Sequence, residues 1–82
     1  LSVAPNPAFG AATIRFTPEA SGEVLFTVSD VLGNTLRTIE TSVRGGEEFA
    51  QSISLENFAR GVYVCRAQER GGIMRSVVFV VR

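Results

Sequence analysis

The run Val77-Val78-Phe79-Val80-Val81, closed by Arg82, constrains this chain more than any other stretch. Four of its five apolar residues are β-branched, and β-branched side chains suit a pleated surface. Side chains alternate across a strand, so Val77, Phe79 and Val81 share one face and Val78 and Val80 the other. Both faces are apolar and both need cover. One reading is a central strand whose outer face lies under loops or a neighbouring domain. The other is a strand displayed to a partner, because strand addition and apolar docking are recurrent recognition modes. The two readings are compatible.

Upstream, other segments repeat the strand pattern. Leu1 to Ala4 suits a short edge strand. Pro5-Asn6-Pro7 then fixes two φ angles and removes two donors, a stiff extended segment that marks the entry to the domain and in which Asn6 is expected to bond its neighbouring backbone. Ala12, Ile14 and Phe16 alternate with Thr13 and Arg15, and Pro18 ends that strand. Val24, Phe26 and Val28 form one face of the next strand. Asp30-Val31-Leu32-Gly33-Asn34 has hairpin chemistry, with Gly33 able to take positive φ. On the returning strand Leu36 and Ile39 sit three apart, on opposite faces unless a bulge intervenes. Phe49, Gln51, Ile53 and Leu55 predict a half-buried strand with one polar residue, Gln51, on its inner face.

Leu55 to Arg60 suits one helical turn, capped by Ser54 and pinned by Leu55 and Phe58, with Gly61 ending it. Val62 to Ala67 and the final strand, Ile73 to Arg82, form a hairpin about the Gly71-Gly72 turn. About seven short strands separated by Gly-marked turns predict an all-β fold, a small immunoglobulin-like antiparallel β-sandwich. Tyr63, just past the Leu55–Gly61 corner, stands where a tyrosine corner would lock the connection between sheets by bonding backbone upstream. Ligand stacking is the other role open to it.

Residues 1–82 read as one domain. With Leu1-Ser2 at the start, no signal peptide and no membrane-spanning stretch, the expectation is a piece of a longer protein. Eight Arg balance eight acids and there is no Lys, which argues against nucleic acid as a partner. The single cysteine, Cys65, reads as a buried, inert thiol on a strand. There is no His, so the commonest general base and metal ligand is missing. No Ser or Thr has a visible activating base. Glu47 and Glu48 are adjacent and would point to opposite faces of a strand. No spaced calcium loop or phosphate cradle is present. The expectation is a chain that is not an enzyme and takes no metal or cofactor.

Pro5-Asn6-Pro7, then Asp30-Val31-Leu32-Gly33, then Gly61-Val62-Tyr63 after a Leu-bearing corner, then a β-branched strand ending in Arg82, resemble the C-terminal sorting domains of the type IX secretion system. The resemblance covers nearly the whole chain. It implies a small immunoglobulin-like sandwich that directs its parent protein across the outer membrane of a Gram-negative bacterium to the cell surface. The partners it implies are an outer-membrane β-barrel shuttle protein, the type IX translocon and, in most members, a cell-surface sortase. The family's final segment maps onto Ile73 to Arg82, and its Gly-x-Tyr motif onto Gly61 and Tyr63. Arg75 and Arg82 stand where Lys is common, and Cys65 where a larger aliphatic residue is usual. The recognition surface expected from this is Val77, Val78, Phe79, Val80, Val81 and Arg82, with Gly61 and Tyr63 holding the hairpin in shape. The alternative is an accessory sandwich for carbohydrate binding, domain spacing or dimerisation, the last through an exposed edge or the final strand. Sugar binding would want exposed aromatics, whereas the six Phe and one Tyr mostly fall on inward positions and Trp is absent.

Overall fold

The alternating segments become strands in a computed structural model that describes every residue, Leu1–Arg82. They are β1 (Ser2–Phe9), β2 (Ala11–Phe16), β3 (Gly22–Asp30), β4 (Thr35–Val43), β5 (Phe49–Ser54), β6 (Gly61–Glu69) and β7 (Met74–Val81). The spatial order is β4-β3-β6-β7-β1-β2-β5. The first half of β1 joins β2 and β5 in one sheet, and its second half meets β7 at the margin of the other. The expected all-β immunoglobulin-like sandwich of about seven strands is what forms. Every pairing is antiparallel except the short parallel meeting of Ala8 with Val81.

The inner faces are the alternating apolar rows. Val24, Phe26 and Val28 of β3, Tyr63, Cys65 and Ala67 of β6, and Phe79 and Val81 of β7 are buried against Val3, Ala12, Ile14, Phe16 and Ile53 from the facing sheet. Phe16 meets Phe26 edge-on at 5.8 Å, and Phe49 stacks on Phe26 at 5.1 Å. Each such aromatic pair adds about 0.5–1.5 kcal/mol beyond its buried area.

The N-terminal segment departs from the expectation. Pro5-Asn6-Pro7 does not mark the entry to the domain but lies inside β1, Ser2–Phe9. The chain there leaves one sheet for the other, and two residues without an N–H leave no orphan donor while it changes partners. Asn6 does not bond locally. Its side-chain oxygen accepts the Val80 N–H at 2.9 Å.

Three other expectations change. Leu55 to Arg60 forms a turn, closed by the Phe58 N–H to the Leu55 carbonyl, and no helix. Ser54 Oγ does accept the Glu56 N–H, at 3.4 Å. A single turn has no further bond to propagate it, and Gly61 at φ 155° redirects the chain. Gln51 is exposed because β5 is an outermost strand and its inner row lies open there. Glu47 and Glu48 occupy the β4–β5 loop, where Glu48 pairs with Arg15 at 2.8 Å. The bulge anticipated around Leu36 exists. The β3–β4 register steps from Val28↔Arg37 to Ser29↔Thr35, leaving Leu36 as the extra residue.

Candidate recognition surface

β7 sorts its own side chains. Phe79 and Val81 are buried and Val77 is half-buried on the inner face, while Val78 is 55% exposed and Val80 half-buried on the outer face. Of the six residues expected to recognise a partner, Phe79 and Val81 are therefore core. Alternation places Val78, Val80 and Arg82 together outside. No loop of the chain covers Val78, so within these residues that face has no cover of its own.

The register supplies neighbours that the sequence reading had not singled out. Val64 stands opposite Val78, and Val62 opposite Val80. The Glu69 N–H donates to the Ile73 carbonyl at 2.8 Å, while the Val80 and Arg82 N–H groups turn away from β6, which makes the odd-numbered pairs the hydrogen-bonded ones. The even-numbered valine pairs are therefore the closer, non-bonded kind, with Cα atoms about 4.5 Å apart. Four valines thus make a two-by-two block on the outer face, with Val62 43% exposed. The next rows are polar or mixed, with Arg66 opposite Ser76 and Gln68 opposite Met74. Arg66 and Arg82 are exposed and in no salt bridge, so the block has a cationic rim. The signal for Val62 and Val64 was present in the sequence: a hairpin folded about Gly71-Gly72 brings them across from Val80 and Val78.

Several motif residues hold this strand in place. The Tyr63 hydroxyl donates to the Ala59 carbonyl, four residues upstream, at 2.5 Å. Its ring lies against Phe58 and Phe79 at 5.1 and 5.9 Å. That is corner geometry, and a phenol committed to it is withdrawn from ligand stacking. Asn6 serves the Val80 N–H, and the Ala8 carbonyl accepts the Arg82 N–H at 2.9 Å. Gly33 takes φ 89° in the β3–β4 turn. Asp30 closes that turn by accepting from the Leu32 N–H, the Asn34 N–H and the Asn34 side-chain amide. The Asn34 side chain foremost, then the backbone donors, hold the Asp30 carboxyl below its ordinary value.

Nothing in this arrangement resembles a reaction centre. Burial pushes the Cys65 thiol up to about 11, far from a nucleophile at neutral pH. No three His, Cys, Asp or Glu side chains gather closely enough to hold a metal ion. A shallow depression at the far end of the sheet is lined by Glu23, Glu40, Gln68, Glu69 and Arg70 among others, and has no buried polar group aimed into it. Of the aromatics only Phe9 is fully displayed, at 83% exposure. One ring alone makes no sugar-stacking platform.

The class defined here is a small two-sheet sandwich that presents an apolar strand face in place of a cleft. A family model described as the secretion system C-terminal sorting domain matches residues 2–80. The chain belongs to that family, the C-terminal sorting domains of type IX secretion. It is a family of sorting signals, not a known enzyme family. Membership implies interaction with the type IX machinery and a secreted or cell-surface parent protein. No curated protein matches the chain.

Proposed function

We propose that the export machinery grips this domain by the outer valine block, Val62, Val64, Val78 and Val80, with Arg82 at its rim. The grip sends the parent protein across the outer membrane of a Gram-negative bacterium to the cell surface. On this reading the domain is an address and not a catalyst. Its first partner is an outer-membrane β-barrel shuttle protein, which passes the parent to the type IX translocon and, where the domain is removed, to a surface sortase. Gly61, Tyr63, Pro5, Asn6 and Pro7 shape the strand, and Gly33 shapes the distant hairpin. Phe79 and Val81 contribute by anchoring β7 in the core.

The observation that carries the reading is Val78. It is more than half exposed, β-branched and backed by three further valines on an otherwise mostly polar sheet face. Monomeric domains seldom leave such a block bare without a use for it.

The test is export of a reporter bearing this domain at its C-terminus in a host with a type IX system. Val78→Thr with Val80→Thr keeps the branched shape and removes apolar surface. Surface display should fall at least tenfold while the isolated domain keeps its fold. Unchanged display from a folded double variant would sink the proposal.

A further inference from the structure

β7 is covered unevenly along the margin that faces away from β6. The Val80 N–H goes to Asn6 and the Arg82 N–H to Ala8, so even-numbered donors of β7 point away from β6. By the same alternation the N–H groups of Met74, Ser76 and Val78 point to that margin too. β1 does not reach them, because its pairing with β7 is confined to Ala8↔Val81 before the chain crosses to the other sheet. Met74 to Val78 is therefore an open strand edge. It is bounded by the Gly71-Gly72 turn at one end and by Asn6 at the other.

We infer that two copies of this chain pair antiparallel through Met74–Val78, about a two-fold axis at Ser76. Three features select this occupant and this register. First, the open donors are symmetric about Ser76. Met74 bonds the partner's Val78, Ser76 the partner's Ser76, and Val78 the partner's Met74, so every open donor and acceptor of the run is used. An axis at Arg75 leaves Val78 unbonded, and one at Val77 leaves Met74 unbonded. Second, Met74 and Val78 are 54% and 55% exposed on one face, and this register lays each across from the other twice. Third, the charges agree. Arg75 faces the partner's Val77 and not the partner's Arg75, and its own charge is offset by Glu19 at 3.8 Å. An axis at Arg75 would oppose like charges, which destabilises a pair. The result is a continuous sheet across both copies. So short a pairing is weak, and it forms at high local concentration.

The inference is independent of the export reading, because self-association is measured on purified domain without any secretion machinery. Sedimentation from low micromolar to hundreds of micromolar should show a shift from monomer towards twice the monomer mass. Ser76→Pro places its ring on a donor the monomer does not use, a position where strands accept Pro, and should abolish that shift with the strand spectrum retained. A second variant pair does not rely on that fold. Bonded antiparallel partners sit about 5.5 Å apart at Cα, within disulfide reach. Ser76→Cys should therefore oxidise to a covalent dimer, and Met74→Cys should not. Buried Cys65 stays out of the reaction. A wild-type chain that remains monomeric throughout, or covalent dimers from Met74→Cys as readily as from Ser76→Cys, overturns the inference. The first outcome leaves the edge to a strand of another protein, and the second indicates a parallel pairing.

Discussion

The Asn6 side chain stands in for backbone at Val80: its oxygen accepts that N–H at 2.9 Å across 74 residues of sequence. The main chain of β1 does not accept this N–H where it crosses from one sheet to the other, and Ala8↔Val81 is its one paired position on β7. The side chain bridges the gap and fastens the N-terminal strand to the last strand. Asn6→Ala removes the acceptor and leaves the Val80 N–H to solvent. The expected cost is about 1 kcal/mol, the usual worth of one such bond. Denaturant unfolding measures it. Amide exchange at Val80 should accelerate relative to Cys65, which lies deeper in the same sheet.

Tyr63 separates hydroxyl from ring. Tyr63→Phe removes only the bond to Ala59 and keeps the ring contacts with Phe58 and Phe79. It also leaves a carbonyl without its partner, so about 1–2 kcal/mol should be lost. Tyr63→Ala empties a site that is 5% exposed and should cost about 3–5 kcal/mol. Thermal unfolding of the two variants gives both values. Equal losses from the two would mean that the hydroxyl bond, and not the packing, is what Tyr63 contributes.

What the sequence made legible follows from range. Period-two alternation is local, so the inner rows Ala12-Ile14-Phe16 and Val24-Phe26-Val28 were readable, as was Phe79 against Val78. The Tyr63 corner and the Leu36 bulge were readable because each depends on residues a few positions away. Asn6 was misread because its partner lies at the other end of the chain, and no local pattern announces a sheet switch. Gln51 was read on the correct row, but its exposure was not readable, because alternation gives the face of a residue and not whether its strand is outermost. The valine block needed β6 and β7 read together. Each valine alone is an ordinary strand residue, and only the hairpin register turns the four into a surface.

Asp30 and Gly33 make the β3–β4 hairpin sensitive to acid and to backbone substitution. The Asp30 carboxyl is held below its ordinary value of 3.8 in the folded chain. The folded state therefore releases this proton more readily than the unfolded state. The contribution is fully present above the unfolded value and is lost as pH falls through the lowered folded value. Melting temperature should drop between neutral pH and pH about 2, and Asp30→Asn should flatten part of that drop. Gly33→Ala places a Cβ at φ 89° and should cost about 1–2 kcal/mol at any pH. Parallel melts of the two variants separate the carboxylate from the backbone.

Cys65 gives the opposite sign at the alkaline end. The thiol lies in the core at 0% exposure, and burial raises it from 9.0 to about 11 in the folded chain. Between those values the unfolded chain has lost the proton and the folded chain still holds it. Stability must then fall as pH rises from about 9 to 11, because the folded state binds more protons across that window. Below the unfolded value both states are protonated and no dependence arises from this group. Cys65→Ala lowers stability at every pH by leaving a small void, and it removes the part of the alkaline decline that belongs to the thiol. Denaturant midpoints at pH about 8, 9, 10 and 11 for both chains measure the difference. The same burial predicts that a maleimide labels Cys65 at pH about 8 only as fast as the domain opens. Labelling as fast as a free thiol would place the sulfur at the surface and contradict the core described here.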